Sequence, residues 1–125
     1  MSQPQTTIAA GFSNQLDPQQ IELLRGLRKG TLLPQLLRTY RDQAVKQIED
    51  LRAAAAKEDT EALRIVAHTL KSASFSIGAN GIGELCAQLE TNARANQLGG
   101  NATLCGELVE RFTALVSEIE QYLTP

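Results

Sequence analysis

The chain has 125 residues, 42% of them hydrophobic, which suits one domain with a single core and is too apolar for a disordered chain. A formal charge of −2, no basic block and 4% aromatic residues exclude the electrostatic footprint of a nucleic-acid binder, and no apolar run approaches the roughly 20 residues that a membrane span needs. One histidine and two cysteines, Cys86 and Cys105, without metal-ligand spacing, argue against a metal or cofactor site of the chain's own. The thiols read as buried and free, as in a cytoplasmic protein without a secretory leader.

Residues 1–16 are polar with no sustained period and read as a flexible tail or linker, leaving 17–125 as the folded domain. Asp17-Pro18 starts a short helix, with Asp17 as N-cap and Pro18 at the first helical position, ending near Gly30. A second helix is predicted from about Thr31 to Lys57, with Pro34 tolerated in its first turn. Along it Leu33, Leu36, Leu37, Tyr40, Ala44, Ile48, Leu51 and Ala55 recur at spacings of three and four, as one buried stripe does.

"KEDT" breaks that pattern, and Asp59 or Thr60 can cap a third helix running to Ile77, closed by Gly78 in a left-handed conformation. A fourth helix, about Asn80 to Asn96, buries Ile82, Leu85, Leu89 and Ala93. After the "QLGGN" loop a fifth, about Ala102 to Leu123, buries Leu104, Leu108, Phe112, Leu115, Ile119 and Tyr122. With no strand signal, the expected fold is all-α: an antiparallel four-helix bundle with a short additional N-terminal helix capping one end.

On a helical wheel at about 100° per residue, Leu63, Val66, Ala67, Leu70, Ala73 and Ile77 form the core stripe of the third helix, and His68 falls about 160° from its centre. The same outer face carries Arg64 and Lys71, four residues before and three after the ring, close enough to set two cations beside it. Such a pair disfavours protonation of the imidazole, keeping a lone pair free near neutral pH. Ile65 and Phe75 are apolar on a face that should be solvated, which marks a docking surface, although Phe75 equally fits a place under the fourth helix. Ser72 is small and leaves access to the ring; it or Ser74 also suits a close approach of two helices. A neutral, exposed imidazole beside cations suits transient acceptance of a phosphoryl group, whose oxygens Lys71 and Arg64 can bond.

The stretch His68-Thr69-Leu70-Lys71-Ser72, preceded by Ala67 and followed by Ile77-Gly78-Ala79, resembles the histidine-containing phosphotransfer (HPt) domain of bacterial phosphorelays, and the likeness runs from about Leu16 to Leu123. The resemblance implies that His68 accepts a phosphoryl group from a receiver-domain aspartate and passes it to another receiver, that Lys71 stabilises the phosphohistidine, and that Gly78 belongs to the helix end beside the docking surface. Ser72 stands where the family most often has Gly. By the same resemblance a polar residue on the following helix lies near the ring, and Gln88 is the nearest candidate.

No Gly-rich nucleotide loop is present, so the expectation is a phosphorelay intermediate rather than an enzyme. Its partners are then receiver domains of a hybrid histidine kinase or a response regulator, which bring their own aspartate and magnesium. A monomer is expected, in the cytoplasm or as the cytoplasmic C-terminal part of a membrane-bound hybrid kinase. The competing reading is a helical adaptor that binds a receiver or another protein through Ile65 and Phe75 without being phosphorylated. A general-base role for His68 fares worst, because no serine, cysteine or carboxylate is spaced to complete a catalytic set.

Overall fold

The computed structural model describes residues 15–124, and among these every regular element is a helix. Helix α1 spans Pro18–Arg25, α2 Leu32–Ala56, α3 Thr60–Ser76, α4 Asn80–Arg94 and α5 Asn101–Leu123. Local chemistry sets the boundaries. Asp17 accepts the Gln19 N–H at 3.0 Å and Asp59 the Ala62 N–H at 3.1 Å, each satisfying a donor that has no intrahelical partner.

The first helix is shorter than its sequence pattern. It stops at Arg25, and a 3-10 turn, Leu27–Gly30, follows. Arg28 (φ 52°), Lys29 (φ 55°) and Gly30 (φ 85°) are all left-handed there, which reverses the chain into α2.

Helices α2 to α5 pack as an antiparallel four-helix bundle whose core is one cluster of aliphatic side chains from all of them. Leu37, Leu51, Leu63, Leu70, Ile82, Leu89, Leu108, Leu115 and Ile119 are wholly buried, so the stripes read from the sequence are the stripes that meet. Polar pairs fix how the helices are set. Tyr40 of α2 and Ser74 of α3 share a buried hydroxyl–hydroxyl bond of 2.9 Å, and Arg41 of α2 reaches Glu120 of α5 at 2.9 Å. Cys86 and Cys105 are buried free thiols, and burial pushes Cys86 up to about 12.

The domain begins earlier than the composition implied. Gln15 and Leu16, expected in the tail, are buried, and Glu118 of α5 accepts both of their backbone N–H groups, at 2.8 and 3.4 Å. Helix α1 then lies over the end of the bundle. Ile21 is buried, the Asp17 N–H donates to the Gly78 carbonyl at 2.9 Å, and the Gln20 amide donates to the Ser76 carbonyl at 3.1 Å. The remainder of the predicted tail, residues 1–14, lies outside the described residues.

Candidate functional site

Rotation of α3 about its axis is decided by Leu63, Ala67 and Leu70, all buried, and this turns His68 outward with 57% of its side chain exposed. Helix α4 runs antiparallel beside it. On α4, Gly83, Cys86 and Glu90 recur at spacings of three and four, and all three are buried on the flank turned toward α3. Glu90 is 4% exposed, yet it carries a carboxylate.

Three donors converge on that carboxylate. One oxygen, Oε1, accepts from the Lys71 ammonium at 2.8 Å. The other, Oε2, takes the Arg94 guanidinium at 2.8 Å and His68 Nδ1 at 3.0 Å. Lys71 above all, then Arg94, holds Glu90 far below the usual carboxylate range, at about 2, against the opposing effect of burial. Glu90 is therefore ionised at neutral pH and can only accept. The proton of a neutral His68 ring must then sit on Nδ1, which leaves the lone pair on Nε2 at the opposite edge. Two cations and one anion give this cluster one net positive charge beside the ring.

The cations are not the pair that spacing on α3 implied. Arg64 is turned back along its own helix, with its guanidinium on Glu61 at 2.7 and 3.4 Å, and that pairing raises its pKa. Arg94, on α4, takes the second place. Gln88 likewise is not the residue that bonds the ring. It is exposed and lines a shallow cleft with Ala87, Thr91 and Asn92, two residues and so about 200° around α4 from Glu90.

Of the expected docking residues, Ile65 (50% exposed) and Ser72 lie open on the His68 face. Ile65 also borders a cleft of about 500 Å³ between α2 and α3, with Val66, Thr69, Gln43 and Lys46. Phe75 does both things that were open to it: 41% of it is exposed, yet its ring lies on Gly83 of α4, where a Cβ would stand 2.8 Å from ring carbons. Gly78 presents no surface. It is buried beneath α1 at φ +84°, with a Cβ position only 3.1 Å from Gln20, so its role is to let the chain turn under that helix. Among the described residues, no three His, Cys, Asp or Glu side chains gather as a metal site, and no helix is long and apolar enough to cross a membrane.

Fold and site together define a helical bundle that displays one histidine from the middle of a helix, backed by a buried carboxylate and two cations. The chain belongs to the Hpt domain family, whose profile matches residues 35–122. It is similar to the crystal structure of histidine-containing phosphotransfer protein B (HptB) from Pseudomonas aeruginosa PAO1, with a TM-score of 0.82 and 27% sequence identity over 87% of this chain and 94% of that one. No curated protein matches it in sequence. Its role is histidine phosphotransfer in a phosphorelay, as an intermediate and not as a conventional enzyme, and domains of this family interact with receiver domains.

Proposed function

We propose that His68 is the phosphoryl acceptor, that Nε2 is the reacting nitrogen, and that the group arrives from a receiver-domain aspartate and leaves to a second receiver. The supporting observation is the hydrogen bond from Nδ1 to the buried, ionised Glu90, because it puts the lone pair on the free edge of a ring that is more than half exposed. In transfer, the Nε2 lone pair forms the N–P bond as the aspartyl P–O bond breaks and its electron pair returns to the departing carboxylate. Lys71 and Arg94, each held 2.8 Å from Glu90 on the Nδ1 side of the ring, are cations whose long side chains can extend donors toward the phosphoryl oxygens.

Most of the acceleration in such a step is positioning and charge stabilisation. The partner receiver supplies the aspartate and its magnesium ion. This chain supplies a rigid helix, a fixed ring tautomer and net positive charge. Ile65, Ser72 and the exposed part of Phe75 form the face on which the receiver seats.

Incubation with a phosphorylated receiver tests the proposal. The wild type is expected to gain acid-labile, alkali-stable phosphate, and His68→Gln to gain none above background. Equal labelling of both proteins rejects His68 as acceptor. A wild type that binds the receiver and gains no phosphate supports the adaptor reading instead, which the exposure of Ile65 also favours.

A further inference from the structure

We propose that the Glu90 carboxylate holds a proton on Nδ1 throughout the exchange, so that phosphorylated His68 stands as an imidazolium and the relay step runs in both directions without proton transfer. This rests on His68 being the acceptor and goes beyond it, by assigning Glu90 as a positioning residue that sets how readily the phosphoryl group moves on.

The geometry carries the argument. Glu90 Oε2 is 3.0 Å from Nδ1, and the carboxylate cannot turn away, because Lys71 at 2.8 Å holds Oε1 and Arg94 at 2.8 Å shares Oε2. Once Nε2 carries phosphorus, a ring without the Nδ1 proton would aim its remaining lone pair at an anionic oxygen of the almost fully buried Glu90. The protonated ring instead makes a charge-assisted bond at the same position.

Electrons balance without a proton moving. On acceptance, the Nε2 pair goes to phosphorus and the aspartyl oxygen regains the P–O pair. On donation, a carboxylate oxygen of the second receiver attacks phosphorus, and the N–P pair returns to Nε2. The group that departs is then a neutral imidazole with its Nδ1 proton. Without that proton it would be an imidazolate, a far poorer leaving group.

Other charges lie around the ring and its helix. On α3 these are Glu61, paired with Arg64, and Lys71; on α4, Arg94, with the Cys86 thiol buried nearby; on α2, Asp42, Lys46 and Asp50 line the cleft beside Ile65 and Thr69, the last two paired with each other at 3.5 Å. Lys71 and Arg94 oppose protonation, but both cations are satisfied by Glu90, and Glu90 is the group bonded to Nδ1. The phosphoryl group itself adds negative charge that favours the imidazolium.

The test uses the full chain with 15N-labelled histidine, phosphorylated by phosphoramidate, which donates directly to imidazole. The Nδ1 resonance is followed from about pH 5.5 to 9.5 in the wild type and in Glu90→Gln, whose amide can still accept the bond but carries no charge. The phosphorylated wild type is expected to keep its Nδ1 proton about 1–3 pH units further into the alkaline range than the variant. Whatever its rate near pH 6, transfer from the variant to excess receiver, taken relative to the wild type, should fall at least about tenfold further between there and the alkaline end.

Equal midpoints, or loss of the wild-type proton below neutral pH, overturn the proposal. The second result needs no variant and stands even if Glu90→Gln does not fold. A purely structural Glu90 would lower thermal stability and leave the midpoint where it was. Failure of phosphoramidate to label His68, judged against His68→Gln, overturns the acceptor assignment and this proposal with it, whereas equal midpoints overturn this proposal alone.

Discussion

An almost fully buried carboxylate survives in this bundle because Lys71, Arg94 and His68 each bring a donor to it, and removing the donors would leave a charge whose desolvation costs several kcal/mol. The same contacts tie Glu90 to the stability of the fold. Its pKa is depressed in the folded state, from 4.5 to about 2, so its contribution is complete above the unfolded value and is lost as pH falls through that interval. Between about pH 5 and pH 2, urea denaturation should show a loss on the order of 3 kcal/mol from this group. Glu90→Gln, with no carboxylate to titrate, should lack that part of the slope; a variant with the wild-type acid profile would show that Glu90 is not the group responsible.

The α3–α4 pair is the element on which the site is built, and a glycine sets how closely the two helices lie. Phe75 rests its ring where a side chain on Gly83 would begin, 2.8 Å from ring carbons, so Gly83 is required by contact and not by backbone conformation. Gly83→Ala should cost about 1–3 kcal/mol by forcing the ring outward or the helices apart. In a Phe75→Ala background most of that cost should vanish, and a double-mutant cycle by thermal denaturation measures the difference; additive effects would mean that the ring and the glycine are independent.

The pair also shows what periodicity leaves out. Asp17 placed the start of α1, and the cap Asp59, the left-handed Gly78 and the three-and-four spacing of the leucines placed α2 to α5 to within about two residues, because those signals act within one turn of helix. The break at Leu27–Gly30 gave no such signal. "LRGLRKG" is compatible with a continuing helix, and it is the need to enter α2 in a new direction that puts Arg28 and Lys29 in left-handed conformations.

At the scale of the molecule, the bundle needs its N-terminal segment as a lid over the core. Leu16 is 3% exposed and Ile21 1%, and the segment is pinned at one side by Glu118 and at the other by the Gly78 carbonyl. Leu16→Ala should therefore destabilise the domain by about 2–4 kcal/mol, as truncation of a core leucine does. A loss below 0.5 kcal/mol in denaturant titration would show the segment to be peripheral. Glu118 is drawn into this contact at a cost: burial raises its pKa, opposed by the two backbone donors that hold Gln15 and Leu16.

Local interactions are written in the chain itself, so the sequence alone determined the helices, the four-helix bundle, the outward histidine and its neighbour Lys71. Each depends on residues no more than a turn or two apart, and the resemblance to the Hpt family rests on the same letters. Which residue of α4 meets the ring was a different matter. Gln88 and Glu90 sit on opposite flanks of that helix, nearly equally far from its apolar stripe, and a wheel does not say which flank faces α3. The run Gly83, Cys86, Glu90 held a clue to the answer, since a carboxylate continuing a stripe of small buried residues has to be met by cations. Tertiary packing chose that flank, turned Arg64 to Glu61, brought Arg94 in from the neighbouring helix and folded Gln15 and Leu16 into the core. Those choices are made between segments distant in sequence, where shape and charge are settled only once the helices have met.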